Sequence, residues 1–133
     1  MSDATSYREL TQSVTKGLAS LRTSTPDVMK SFGELGRAAT ASGVLDRKTK
    51  ELIALALSVD ARCDPCIGFH MQTLVKLGVT RQEIDETLGV ATYMGGGPSL
   101  MYAANAINAF EEFSRPPSPS LSTFCPFPEF IGR

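Results

Sequence analysis

The stretch Cys63-Asp64-Pro65-Cys66-Ile67-Gly68-Phe69-His70 sets two thiols three residues apart and places the chain's only histidine four residues beyond the second. Twelve residues before Cys63, Glu51 opens the apolar run Glu51-Leu52-Ile53-Ala54-Leu55-Ala56-Leu57. Two close thiols can cycle with a disulfide, and an imidazole and a carboxylate can move the protons such a cycle needs. Asp64-Pro65 has the form of a helix entry, with Asp64 as N-cap and Pro65 as first helical residue. Cys66 then falls in the first turn, where the positive end of the helix dipole favours a thiolate. Cys66 and His70 are neighbours on one helix face, whereas Cys63 is roughly 10 Å from His70 along the axis. These relations predict Cys66 as nucleophile, Cys63 as resolving thiol, His70 as immediate base and Glu51 as its support. A peroxide would oxidise Cys66 to a sulfenic acid, Cys63 would condense with it to a disulfide, and an outside dithiol would reduce that disulfide.

Each residue has a plainer role to weigh against this. A lone helical histidine is often only hydrogen-bonded structure, and Glu51 has Arg47 and Lys48 nearby to pair with. The thiols and His70 could hold zinc, with Glu51 or an outside group as fourth ligand, although no second ligand pair is visible. That reading would make the protein a helical binding module. A c-type haem site needs histidine directly after the second cysteine, and a thioredoxin-like site needs a strand before the motif. Neither condition is met. The run Gly95-Gly96-Gly97-Pro98 lacks the Walker lysine and follows a helix, so it reads as a tight helix–helix turn rather than a phosphate loop. Met94, Met101 and Tyr102 beside it read as core or subunit-contact residues.

The elements that must position these groups are all helical. The pattern predicts a single-domain helical bundle of about six helices over residues 1–114, and no segment reads as a strand. A first helix is expected from about Tyr7 to Leu21, and a second opens at Thr25-Pro26 with a capping hydroxyl and stops near Gly43. Asp46 caps a third, Arg47 to about Asp60, whose apolar residues cover most of its circumference and put it in the core. The cysteine helix runs to Leu77 and closes at Gly78. Thr80-Arg81-Gln82-Glu83 is a capping box that starts the fifth, and an alanine-rich sixth ends near Phe113. Five of the eight prolines fall in the tail, residues 115–133, so no regular helix is expected there. Its Phe124, Phe127, Phe130 and Ile131 suit docking on this domain or on a second subunit as well as they suit disorder, and Cys125 there has no assigned role.

At 133 residues, 42% hydrophobic and 20% charged, the chain has the composition of one ordinary globular domain. A net charge of −1 with no basic block argues against nucleic acid as a partner. No signal peptide or membrane-spanning run is evident, so a cytoplasmic location is expected. Three cysteines cannot all pair, and in a reducing compartment a close pair points to catalysis or metal rather than a permanent staple.

Glu51, eleven residues, Cys63-x-x-Cys66, three residues and His70 resembles the signature of the alkylhydroperoxidase D-like branch of the carboxymuconolactone decarboxylase family. The likeness continues through Leu77-Gly78-Val79-Thr80, Glu83-Ile84 and Met94-Gly95-Gly96-Gly97-Pro98, and covers about residues 25 to 113. It implies an all-helical homo-oligomer, commonly a trimer or hexamer. It further implies a thiol-dependent peroxidase or disulfide reductase with no bound cofactor, acting on a hydroperoxide and recycled by a dithiol protein or small thiol. By this likeness Cys66 matches the peroxidatic cysteine, Cys63 the resolving one, and His70 and Glu51 the proton-relay positions. The best-known pattern has a second histidine directly before the nucleophile, where this chain has Pro65, so a lower peroxidase rate is expected. The lactone decarboxylase branch generally lacks the cysteine pair, which disfavours that activity.

Overall fold

The computed structural model describes residues 6–117, and these form six α-helices with no strand among the described residues. They are α1 (Tyr7–Ser24), α2 (Pro26–Thr40), α3 (Arg47–Asp60), α4 (Asp64–Lys76), α5 (Arg81–Gly95) and α6 (Gly97–Phe113). The all-α bundle is the one the sequence predicts. The expectations for Cys125 and the tail's apolar residues lie outside the described residues.

Local signals set most of the boundaries. Asp46 accepts from the Thr49 N–H at 2.8 Å and starts α3. Thr80 and Glu83 cap each other reciprocally at the start of α5. Gly78, at φ 79°, closes α4 in a Schellman turn: Val79 N–H donates to the Leu74 carbonyl and Gly78 N–H to that of Val75. Two expectations for α2 fail. The Thr25 hydroxyl donates backwards to the Leu21 carbonyl at 2.8 Å instead of capping, because α1 runs on to Ser24 and leaves that acceptor in reach. The helix ends at Thr40, where Ala41 turns extended, rather than near Gly43.

The core lies where α3, α4, α5 and α6 meet. Leu55, Val59, Ile67, Met71, Leu74, Ile84 and Ala106 are fully buried in it. Burying the Leu, Ile, Val and Met side chains among these contributes about 1.5–3 kcal/mol each. The expectation that α3 is buried nearly all round is corrected: its inner face is Glu51, Leu55, Ser58 and Val59, while Ile53 is 47% and Leu57 65% exposed. The helices packed on α3 cover one side of it, and nothing in the described chain buries Ile53 and Leu57 on the other. On α2, Val28, Phe32 and Leu35 share a face and are all more than half exposed. Met94 and Met101 are also exposed, so they are not core residues of this chain, whereas Tyr102 packs against the core. No helix among the described residues is long and apolar enough to cross a membrane.

Candidate active site

Helices α3 and α4 make a hairpin, and its turn builds the cysteine site. The end of α3 is a second Schellman turn, in which Cys63 N–H donates to the Ser58 carbonyl and Arg62 N–H to that of Val59. Arg62 occupies the position usually given to glycine and sits at φ 57°. That left-handed backbone is strained for a residue with a Cβ, and such strain tends to collect at functional sites. Cys63 therefore leaves α3 and enters α4 in one step.

This step corrects the expected cap. Cys63, not Asp64, is the N-cap of α4: its sulfur accepts from the Cys66 N–H at 3.3 Å. Asp64 is the first helical residue and Pro65 the second, so Cys66 is the third. Asp64 does not cap because its carboxylate is taken elsewhere, by Tyr7 at 2.6 Å and Asn105 at 3.3 Å. Cys66 remains in the first turn, so the dipole argument for its thiolate stands. Cys63 and Cys66 are joined by a disulfide, with Cα atoms 5.2 Å apart, and both are partly exposed.

His70 follows Cys66 one turn along α4, and its Nδ1 lies 2.7 Å from Oε1 of Glu51 on α3. The Glu51 side chain is fully buried while that of His70 keeps 15% of its surface exposed. A carboxylate accepting from Nδ1–H keeps the proton on that nitrogen and leaves the Nε2 lone pair free to accept another. Glu51 thus pairs with His70 rather than with Arg47 or Lys48, and Lys48 bonds Glu83 at 2.8 Å. The second oxygen of Glu51 is buried with no hydrogen-bond partner among the described residues. The structure so joins the four proposed residues in two pairs, Cys63 with Cys66 and Glu51 with His70, and links the pairs through the register of α4.

Three further groups reach the motif that the sequence did not single out: Tyr7 from α1, Asn105 from α6, and Asp64 in a role other than capping. Tyr7 Oη donates to Asp64 across 57 positions of sequence. Burial first, and then this bond, push the Tyr7 phenol far above its ordinary value, so it stays a donor at any physiological pH. In the sequence Tyr7 stands out only as the first residue of the expected first helix. Among the described residues, no group of three or more His, Cys, Asp and Glu is arranged to hold a metal ion.

Residues 26–109 match the model of the carboxymuconolactone decarboxylase family. An uncharacterised protein of Cupriavidus necator is 41% identical over 86 residues, 65% of this chain and 76% of its own length. One from Haemophilus influenzae is 36% identical over 106 residues, 80% of this chain and 94% of its own length. The apo crystal structure of a carboxymuconolactone decarboxylase family protein from Legionella pneumophila is 59% identical and superposes with a TM-score of 0.81. It covers 82% of this chain and 97% of its own. The family match runs from the first residue of α2 into the last turns of α6 and takes in the whole cysteine site, and the chain belongs to the carboxymuconolactone decarboxylase family.

Proposed function

We propose that the protein is a thiol-dependent peroxidase of the alkylhydroperoxidase D-like kind, reducing hydroperoxides through Cys63 and Cys66. The observation that carries this reading is a cysteine pair at a helix N-terminus with a carboxylate-held imidazole one turn away. The Cys66 thiolate attacks one peroxide oxygen and the O–O bond breaks. An alcohol leaves with a proton delivered through His70, and Cys66 becomes a sulfenic acid. Cys63 then attacks that sulfur, the S–S bond forms and water leaves. Two electrons and two protons from an external dithiol protein or small thiol restore both thiols. The disulfide between Cys63 and Cys66 is the oxidised end of this cycle.

Such a cycle needs a reducing compartment, which in this reading is the cytoplasm. The exposed apolar residues Ile53 and Leu57 of α3 favour assembly with further copies of the chain as a trimer or hexamer. The test is peroxide oxidation followed by mass analysis. Cys66→Ser should consume no peroxide, and Cys63→Ser should take up a single oxygen and stop. Full turnover by Cys66→Ser sinks the proposal.

A further inference from the structure

Helix α1 lies outside the residues matched to the family, yet it is fastened to the start of the cysteine helix. Tyr7 is 7% exposed, and its hydroxyl donates to Asp64 Oδ1, which also receives Asn105 Nδ2. One turn further along α4, Gly68 sits so close to α1 that a Cβ there would come 2.7 Å from Thr11 Cγ2 and 3.2 Å from Tyr7 Cδ1. The first turn of α1 is fixed in its turn by α6. Glu112 accepts from the Ser6 hydroxyl and from the N–H groups of Tyr7 and Arg8 at 2.5–3.0 Å. Tyr7 is thus held from both sides, with its hydroxyl aimed at one carboxylate oxygen.

That carboxylate directly follows Cys63 and stands two residues before Cys66. A Cys66 thiolate and the Asp64 carboxylate are therefore two anions at one helix N-terminus, competing for the same positive end. Helical residues two apart do not face each other. Asp64 points to the α1 and α6 side, where its two donors are, and His70 shares the face of Cys66 with Glu51 beyond it. Glu111 and Arg115 line the groove that Tyr7 and Asp64 border, and Glu112 is committed to the start of α1.

We infer that Tyr7 is a positioning residue that sets the redox balance of the Cys63–Cys66 couple by holding the Asp64 carboxylate on the side away from the sulfurs. Released from Tyr7, the carboxylate can turn toward the N–H groups that otherwise favour the Cys66 thiolate. The thiolate is then destabilised and the equilibrium moves toward the disulfide. The inference rests on the redox reading of the cysteine pair but not on peroxide as the oxidant.

The experiment is equilibration of the full chain in glutathione buffers at pH 7, with reduced and oxidised protein counted by mass after thiol alkylation. Two glutathione thiols give one glutathione disulfide, and their two electrons and two protons go to Cys63 and Cys66. Tyr7→Phe should shift the equilibrium about three- to tenfold toward the disulfide, equivalent to about 14–30 mV. It should also raise the apparent pKa of Cys66 read from alkylation rates. Asp64→Asn should shift both in the opposite direction, and adding Tyr7→Phe to Asp64→Asn should change nothing more. An unchanged equilibrium in Tyr7→Phe, or a shift that survives intact in the Asp64→Asn background, overturns the inference. A wild-type pair that exchanges with glutathione but ignores peroxides sinks only the peroxidase reading, and a pair that no thiol reduces sinks both.

Discussion

His70 Nδ1 lies 2.7 Å from Oε1 of a Glu51 side chain that has no exposed surface. The carboxylate fixes one ring nitrogen as a donor and so prepares the other as a base. His70→Asn should slow oxidation of Cys66 by about 10²–10⁴, the usual worth of a positioned acid–base group. Glu51→Gln keeps the shape and should cost less, since His70 remains. Stopped-flow oxidation measures both, and equal wild-type rates in His70→Asn remove the imidazole from the mechanism.

The close approach of α1 to Gly68 gives a packing test. Gly68→Ala puts a methyl 2.7 Å from Thr11 Cγ2, and overpacking of this kind costs about 1–3 kcal/mol. Thr11→Ser removes the offending methyl and should restore part of the loss in the double variant. Urea midpoints give the comparison, and strictly additive losses would contradict the contact.

Acid stability should depend on Glu112. Burial raises its pKa, but the bonds from the Ser6 hydroxyl and the Arg8 and Tyr7 N–H groups outweigh burial and hold it below the ordinary value of 4.5. A carboxyl with a lower pKa in the folded chain binds fewer protons there than in the unfolded one. Its contribution is therefore complete above about pH 4.5 and lost as pH falls through the folded value. Glu112→Gln should cost about 1–2 kcal/mol at pH 7 and flatten the decline of the melting temperature below pH 5. The surface carboxylates Asp46 and Glu83 are also lowered, by Thr49 and Lys48 respectively, and act in the same direction. An undiminished acid decline in Glu112→Gln would assign it to those groups instead.

Assembly should depend on the exposed apolar face of α3. Leu57 and Ile53 are 65% and 47% exposed, and a charge at either is tolerated by a monomer but not by a buried interface. Leu57→Glu and Ile53→Glu should lower the mass seen by light scattering without unfolding the chain. A wild-type protein already monomeric at high micromolar concentration would exclude the homo-oligomer.

Much of this was legible in the sequence because helix starts and stops are short-range. Asp46, the Thr80–Glu83 capping box and Gly78 each satisfy backbone groups within a few residues, so their signals survive any tertiary arrangement. The spacing of Cys63, Cys66 and His70 is equally local, since one helix carries nearly all of it. Long-range contacts decided the rest. Asp64 looked like a cap until Tyr7, 57 positions away, took its carboxylate and Arg62 brought Cys63 into the cap position. Glu51 chose His70 over its own neighbours because the α3–α4 hairpin buries the carboxylate beside the imidazole, where an unpaired carboxylate is costly. Ile53 and Leu57 resembled core by composition but lie outside, because a helix pattern records which residues are apolar and not which side of the helix has a neighbour. The sequence by itself determined the helices and the order of the reactive groups along them. Only packing decided which charges meet, because residues far apart in the chain share no local hydrogen-bond rule.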